Sequence, residues 1–297
     1  MKGHRLVRYL MRVTFGGEGR IRDYRSIVNY SQDAAPMNRR VALLSAVMVL
    51  GALPIGAQEV EYAVGTTRYR VSTTTKGTQS TPMGNSGFEL GMQQQLTLNL
   101  ARQSKDTMLA TVTLDSIALT GTGDVAEVSA LRGAKFVSLV SPTGRVYSTQ
   151  GPANENPLAS QIAEGITRFL PAYRAHLKLG ATWADTTAGK VNQQGMELDR
   201  TIVSSFTVEH DTLIGGVKAF KVARVTSVRA AGSGSTQGTP VSMESSGTSN
   251  GSFFVSTKGV FLGGSSNDDV DLKLKILAQG AEISMKQNAR TKIEPIQ

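Results

Sequence analysis

The stretch that decides the fold is VDLKLKILAQGAEISMKQNARTKIE, residues 270–294. Its apolar and charged side chains alternate with period two, and the alternation resumes after Gln279-Gly280. Successive side chains of a β-strand point to opposite faces of the sheet, so the pattern predicts two strands with one apolar face each. The stretch therefore predicts an antiparallel hairpin with one buried and one wet face. The residues predicted to share the buried face are Val270, Leu272, Leu274, Ile276, Ala281, Ile283, Met285, Ala289 and Ile293.

The same alternation recurs along the chain and predicts a mainly β protein. Met196, Leu198, Ile202, Phe206 and Val208 share one face. Between residues 108 and 119 the alternation changes phase at Asp115-Ser116, which predicts a β-bulge that bends the strand. Two segments rich in Gly, Ser and Thr, residues 76–87 and 232–240, are predicted as mobile tips between strands. Together these features favour one large, curved antiparallel sheet, shaped as a half-barrel or cup.

One amphipathic helix is predicted in the centre of the chain. Asn156 can cap it, Pro157 suits its first turn, and Pro171 ends it. Its apolar stripe is expected to lie across the sheet, at the mouth of the cup. That stripe consists of Leu158, Ile162, Ile166 and Phe169.

A weak internal similarity raises the alternative of two duplicated halves. FVSLVSPTGRVYS (136–148) and FFVSTKGVFLGG (253–264) share an aromatic start and a glycine turn. On this reading, residues 58–150 form the first half of the sheet and residues 181–297 the second half. Residues 151–180 then form the helical connection.

An export signal precedes these segments. MNRRVALLSAVMVLGALPIGAQ, Met37 to Gln58, has two arginines, thirteen mainly apolar residues (41–53), a helix-breaking proline and a small residue, Ala57. This run is shorter than the roughly 20 apolar residues that span a bilayer. We therefore predict a signal peptide at residues 37–57, cleaved between Ala57 and Gln58, and a mis-called N-terminal extension at residues 1–36. The alternatives are a retained anchor with a basic cytoplasmic tail, and a buried core helix.

The signal predicts an exported protein, with the periplasm as its destination and the extracellular space as the alternative. Membrane contact is then expected only through the signal segment. The chain contains no cysteine, so disulfides and a lipidated cysteine are excluded.

The formal net charge of +9 does not indicate nucleic-acid binding. Residues 1–57 hold nine of the 32 basic and three of the 23 acidic residues, so 23 basic and 20 acidic residues remain, a net charge of +3. These remaining charges alternate in sign and form no basic stripe. We therefore expect no nucleic-acid partner.

No catalytic arrangement is predicted. Residues 247–251 (GTSNG) match the G-x-S-x-G pattern of hydrolases, but that chemistry needs a strand-to-helix elbow and a later histidine. A strand-like run follows here, and the last histidine is His210. The match is typical of a Ser/Gly-rich stretch, and the protein is predicted not to be an enzyme.

No metal or cofactor is predicted either. Residues 267–271 (NDDVD) lack the glycine and glutamate of a calcium loop and are interpreted as a turn entering a strand. His176 and His210 are far apart in sequence and favour structural roles over a zinc site. Trp183, the sole tryptophan, is interpreted as packing or as part of a cup lining.

Several phrases in order resemble an uncharacterised family of exported bacterial β-rich proteins. They are Glu61-Tyr62…Tyr69-Arg70-Val71, Phe136…Ser141-Pro142-Thr143-Gly144-Arg145-Val146, Phe169-Leu170-Pro171, Leu179-Gly180-Ala181-Thr182-Trp183, Ile214-Gly215-Gly216-Val217-Lys218-Ala219-Phe220 and Gly259-Val260-Phe261-Leu262-Gly263-Gly264. The architecture that this resemblance implies is similar to the LolA/LppX-like half-barrels of periplasmic lipoprotein carriers and mycobacterial lipid-binding lipoproteins. In those, a curved antiparallel sheet wraps helices and leaves an apolar cavity.

Sequence and resemblance together predict an exported, non-catalytic protein that holds a lipid or other hydrophobic small molecule in an apolar cup. The alternative is a structural or interaction component of the cell envelope, with a partner protein there. The predicted cup lining comprises Leu158, Ile162, Ile166, Phe169, Trp183, Leu272, Leu274, Ile283 and Met285.

Overall fold

A computed structural model describes residues 58–121, 131–151, 165, 169–193, 196–236 and 238–296. These residues form thirteen strands. The strands are β1 Gln58–Glu59, β2 Gly65–Thr81, β3 Gly84–Arg102, β4 Met108–Gly121, β5 Lys135–Val140, β6 Val146–Gln150, β7 His176–Leu177, β8 Thr182–Gln193, β9 Met196–Ile214, β10 Val217–Thr236, β11 Thr239–Ser256, β12 Phe261–Ile276 and β13 Ala281–Ile296.

Eleven of these strands form a single antiparallel open sheet, in the order β6-β5-β4-β3-β2-β13-β12-β11-β10-β9-β8. Consecutive strands of this sheet are neighbours in it, except β6 and β8, which form its two edges. At its centre β2 pairs with β13, which brings together strands near the two ends of the described chain. The remaining strands, β1 and β7, pair with each other through Gln58↔Leu177 and Glu59↔His176. The prediction of a mainly β protein with a large antiparallel sheet is confirmed.

The hairpin predicted from residues 270–294 is confirmed as β12 and β13. Leu272 lies opposite Met285 and Leu274 opposite Ile283, and all four are buried. Gly280, with φ of 62°, lies in the connecting turn, where a residue without a Cβ adopts positive φ at least cost.

The bulge predicted at Asp115-Ser116 is confirmed. Gln95 pairs with Ser116 but Leu96 pairs with Leu114, so β4 has an extra residue at Asp115. The side chain of Asp115 accepts a hydrogen bond of 2.6 Å from Thr97 Oγ1. The extra residue returns Ile117 to the buried face, which explains why the alternation changed phase in the sequence.

The two segments predicted as mobile tips are instead paired strands. β2 continues to Thr81 and β3 begins at Gly84, while β10 continues to Thr236 and β11 begins at Thr239. Their Gly, Ser and Thr side chains weaken the apolar pattern, but the backbone still forms the ladder. That prediction is wrong because composition alone does not report backbone pairing.

The predicted helix falls mostly outside the described residues, which exclude Leu158, Ile162 and Ile166. Gly165 is helical, and Phe169 lies in a turn. Among the described residues, no helix has the length and apolar character that crossing a bilayer would require.

The sheet bends across β10. Cα atoms of β9 and β11, the two neighbours of β10, approach within 8 Å, whereas two strand spacings in a flat sheet amount to about 9.5 Å. Gly232 of β10 allows a close approach, because a Cβ there would collide with the backbone carbonyl of Glu197 in β9.

One face of the sheet, here called the core face, carries the buried apolar residues in two clusters. The base end of the sheet has the turns at 141–145, 215–216 and 257–260, and the tip end has those at 82–83 and 277–280. The larger base cluster includes Tyr69, Leu96, Val112, Phe136, Phe206 and Phe253. The tip cluster comprises Met196, Leu198, Val241, Met243, Leu272, Leu274, Ile276, Ile283 and Met285.

Candidate functional site

The predicted cup-lining residues fall into two separate groups on the core face. Leu272, Leu274, Ile283 and Met285 belong to the tip cluster and are 4–5% exposed. The other two described residues lie at the base end. They are Phe169, which is buried, and Trp183, which is half-buried.

Trp183 and Phe169 both make aromatic contacts at the base end. Trp183 of β8 stacks on Phe206 of β9, with ring centroids 5.0 Å apart and an interplanar angle of 9°. Phe169 meets Tyr69 edge to face at 5.1 Å and Phe261 at 5.6 Å. Such offset or edge-to-face contacts stabilise aromatic pairs beyond the burial of their area, so both side chains act first as packing residues.

The base end of the core face is covered by a chain segment, residues 60–63, here called the thread. Tyr62 N donates to Pro142 O at 2.7 Å and Ala63 N donates to Gly259 O at 3.0 Å. These bonds hold the thread between the β5–β6 turn and the β11–β12 turn. The base cluster also contains residues from outside the eleven-stranded sheet: Val60, Tyr62, Leu131, Phe169, Leu170, Tyr173 and Leu177.

Three buried tyrosines, Tyr62 of the thread together with Tyr69 and Tyr173, belong to the base cluster. Tyr62 Oη donates to Pro171 O at 2.8 Å, and its ring meets that of Tyr173 edge to face at 4.9 Å. Burial raises the pKa of Tyr62 well above its usual value, with a smaller contribution from Tyr173. Burial likewise raises the pKa of Tyr69 and of Tyr173, so these groups stay neutral at physiological pH.

Two cavities lie at the base end. The larger, of about 180 Å³, is lined by residues of the thread, β2, β3 and the β11–β12 turn, including Ala63, Tyr69 and Leu98. The smaller, of about 50 Å³, lies between Phe169, Arg224, Ser266 and Thr291. The second cavity therefore joins the aromatic base cluster to polar residues farther along the core face.

Between the two clusters, a polar belt crosses the core face. The register aligns Ser204, Thr226, Ser249 and Asp268 on four adjacent strands, β9 to β12. Thr75 of β2 continues the row beyond Ala289 of β13 and is 4% exposed. Ser204 and Thr226 share a hydrogen bond of 2.9 Å between their hydroxyl oxygens.

Two arginines flank this belt on the core face. Arg224 lies opposite Phe206 on the base side, and Arg200 lies opposite Ala230 on the tip side. Both make contacts within the protein.

Three buried side-chain oxygens near the belt have no hydrogen-bond partner within the part of the chain that the structure describes. They are Gln79 Oε1, Ser249 Oγ and Gln287 Oε1. Gln79 is 2% exposed. Buried polar atoms are paired in the great majority of cases, so each of these oxygens requires a chemical explanation.

The two short motifs considered in the sequence, residues 247–251 and 267–271, both lie within paired strands of the sheet. Residues 247–251 lie inside β11, paired with β10 and β12 on either side. Residues 267–271 lie inside β12 and are paired with β11 and β13, so their interpretation as a turn is wrong. His176 and His210 are both exposed. Among the described residues, no group of three or more His, Cys, Asp or Glu side chains could hold a metal ion.

Several ion pairs lie at the surface, between side chains that are exposed or half-buried. Lys190 Nζ lies 2.6 Å from Glu197 Oε1, and this hydrogen bond raises the pKa of Lys190. Lys221 Nζ lies 2.8 Å from Glu209 Oε2, and that hydrogen bond lowers the pKa of Glu209. Exposed pairs contribute little to stability and indicate a solvated surface.

Sequence reasoning missed the polar belt. Its members come from five strands with Ser/Thr-rich stretches, and only the register between strands places them in one row. The signal that could have found them is the run of small or polar residues at alternate positions of β11, Ser245, Gly247, Ser249 and Gly251, between apolar ends.

Comparison with known proteins shows only distant likeness. No protein-family model matches the chain, and no curated protein does. An outer membrane channel from Pseudomonas putida F1 aligns over 85% of this chain and 100% of its own, at 10% identity and a TM-score of 0.21. Neisserial surface protein A aligns over 77% and 98%, at 9% identity and a TM-score of 0.15.

A domain of an outer membrane lipoprotein-sorting protein from Vibrio parahaemolyticus aligns over 73% of this chain and 83% of its own. The identity is 8% and the TM-score is 0.16. At these TM-scores the likeness carries no argument about ligand or activity.

Proposed function

We propose that this is an exported, non-catalytic binding protein that holds a lipid or another hydrophobic ligand against the core face of its sheet. The observation that carries the proposal is the tip cluster. Within the part of the chain that the structure describes, all of its members are strand residues, whereas the base cluster also includes Val60 and Tyr62 of the thread and Phe169, Leu170 and Tyr173. The proposal places the ligand at this cluster, whose side chains are 0–5% exposed and must separate to admit it.

The shape and chemistry of the sheet support this assignment. Because the sheet bends across β10, its core face can form the concave side of a cup. Val228 of β10 and Val270 of β12 occupy core-face positions between the tip cluster and the polar belt, and both are half-buried. Apolar surface removed from water contributes about 25 cal/mol per Å², so an acyl chain on this face gains affinity from every methylene that it buries.

Export is the second part of the proposal, and it rests on the signal at residues 37–57. Cleavage between Ala57 and Gln58 would leave β1 intact, because Gln58 is the first residue that pairs with β7. The thread follows directly after β1, so the predicted new amino terminus lies beside the base cluster. The periplasm is the proposed destination.

A structural or interaction role in the envelope is the alternative, and one observation favours it. The tip-cluster side chains are already buried, and the cavities of about 180 and 50 Å³ lie at the base end. Typical ligand pockets measure about 300–1,000 Å³. In this alternative, the side chains of the core face only pack against one another as the interior of the protein. The opposite face of the sheet contacts a partner protein.

Titration with an uncharged fluorescent fatty-acid ester, comparing Val→Asp on the two faces of β10, tests the proposed function. Val228 lies on the core face, and Val225 lies on the opposite face and is 51% exposed. We expect Val228→Asp to weaken binding at least tenfold and Val225→Asp to leave it unchanged. If Val228→Asp fails to fold, Val228→Thr has nearly the same shape and replaces it. Absence of saturable binding to the unaltered protein, or an equal loss in both variants, would overturn the proposal.

A further inference from the structure

The unpaired oxygens on the core face form a pattern. Gln79 lies opposite Met285 in the β2–β13 ladder, and Gln287 lies opposite Gly77. Gln79 and Gln287 are therefore diagonal neighbours on one face, a relation in which Cα atoms are about 7–8 Å apart.

The diagonal continues across two more strands. Asp268 pairs with Ala289, which makes Asp268 the diagonal neighbour of Gln287, and Ser249 lies directly opposite Asp268. We call Gln79, Gln287, Asp268 and Ser249 the acceptor line. Three of its four residues have a buried oxygen without a partner among the described residues, and chance placement does not readily explain that alignment.

The chemistry of the line is specific. Gln79 Oε1 and Gln287 Oε1 can only accept hydrogen bonds, and the Asp268 carboxylate, which accepts from Ser266 Oγ at 3.2 Å, is also an acceptor. Burying an acceptor without a donor costs free energy. The partner that the two glutamine oxygens lack must therefore supply hydrogen-bond donors, whereas the hydroxyl of Ser249 can donate or accept.

The line borders the tip cluster. Gln79 lies opposite Met285, and Val270, opposite Gln287, is followed on the same face by Leu272. Leu272 and Met285 are each 5% exposed, so a molecule with donors on the acceptor line must separate these packed side chains to insert an apolar chain among them. Arg224 and Arg200 flank the belt but already make contacts of their own. The charged group of the line itself is the carboxylate of Asp268, which disfavours an anionic group bonded directly to the line.

We propose that the ligand of the core face is an uncharged amphiphile with hydroxyl groups, of the monoacylglycerol type, whose hydroxyls donate to the acceptor line while its acyl chain inserts into the tip cluster. This inference rests on the proposed function and narrows it to one ligand class.

Binding of 1-monopalmitoylglycerol and of methyl palmitate, which has the same acyl chain and no donor, tests the inference. We expect the unaltered protein to bind the monoglyceride at least tenfold more tightly. Gln79→Met and Gln287→Met keep a similar volume and remove the acceptor. Each is expected to reduce the preference to about threefold or less without changing the affinity for methyl palmitate.

Gln94→Met is the matched control, because Gln94 is also a buried glutamine of the core face but lies opposite Val71, outside the line. It should retain the full preference. Equal affinity of the unaltered protein for both lipids would contradict the inference and leave the proposed function standing. The acceptor line would then be hydrogen-bonded to bridging water. Failure of both lipids to bind would contradict the proposed function itself.

Discussion

Ser141 and Ser256 occupy equivalent positions in two turns at the base end of the sheet. Ser141 Oγ accepts from the backbone N–H of Thr143 at 3.3 Å and of Arg145 at 2.9 Å. Ser256 Oγ accepts from Lys258 at 3.2 Å and Val260 at 2.9 Å. Each turn also has a positive-φ glycine, Gly144 or Gly259, that donates to the serine carbonyl.

The thread is held between these two turns. The strands that precede and follow the two turns are also arranged alike. The five strands β2–β6 and the five strands β8–β12 follow one another in the same spatial order. This arrangement supports the duplication considered from the sequence, which stays a prediction, as do the boundaries 58–150, 151–180 and 181–297.

Removing either serine hydroxyl is predicted to destabilise the protein. Ser256 is fully buried, and Ser256→Ala would leave two backbone N–H groups without their acceptor, which we expect to lower the free energy of unfolding by about 2 kcal/mol. Ser141→Ala should act similarly. Urea unfolding measures both, and Ser227→Ala, at an exposed position of β10, is the control. If Ser256→Ala changes the free energy of unfolding as little as Ser227→Ala does, the turn does not depend on this hydroxyl.

Adding a methyl group at Gly259 is predicted to release the thread. A Cβ there would collide with the backbone carbonyl of Glu61, and φ is 79°. Gly280 has φ of 62° but open space around it, so Gly280→Ala should cost only the conformational strain of about 1 kcal/mol. We expect Gly259→Ala to destabilise by several times that amount and to make residues 58–63 sensitive to limited proteolysis. If Gly259→Ala and Gly280→Ala lose the same stability and are cleaved equally slowly, the turn at Gly259 does not hold the thread in place.

Tyr62 and Tyr173 are predicted to respond oppositely to removal of their hydroxyls. Tyr62 Oη donates to Pro171 O, whereas Tyr173 Oη is buried without a hydrogen-bond partner among the described residues. Tyr62→Phe should therefore lower the free energy of unfolding by about 1–2 kcal/mol, while Tyr173→Phe should be neutral or slightly stabilising. Each is the other's control in thermal or urea unfolding. Loss of stability in Tyr173→Phe would indicate a partner for its hydroxyl.

Stability is predicted to fall at alkaline pH. The folded-state pKa of Tyr62, Tyr69 and Tyr173 is raised by burial, while in the unfolded chain these groups ionise near pH 10. Below that pH they are neutral in both states and their contribution is fully present. As pH rises above it, only the unfolded state loses protons, so stability decreases.

Each of the three tyrosines adds up to about 1.4 kcal/mol per pH unit to this decrease. Urea unfolding between pH 8 and 11 measures it, and Tyr173→Phe should show a shallower slope. Unchanged stability across that range would mean that these tyrosines ionise as readily in the folded protein.

The sequence predicted the parts of the fold in which apolar and charged residues alternate. The alternation of Leu272, Leu274, Ile283 and Met285 with charged residues predicts that these four side chains share the buried face. The change of phase at Asp115 predicts the bulge. Strand β11 gives no such signal in its middle, because its core-face positions are Ser245, Gly247, Ser249 and Gly251.

The candidate site could be predicted only in its apolar part. Gln79 and Gln287 are about two hundred residues apart in sequence, and only the pairing of β2 with β13 makes them neighbours. No local pattern encodes that register, so the acceptor line could not be found before the strand order was known.

Native mass spectrometry of the protein, purified from the cell envelope without detergent, tests the central claim most directly. We predict a chain that begins at Gln58 and a population with the added mass of one lipid, which organic solvent releases. A protein that carries no added mass after purification, and acquires none when incubated with monopalmitoylglycerol or a fatty acid, would contradict the account.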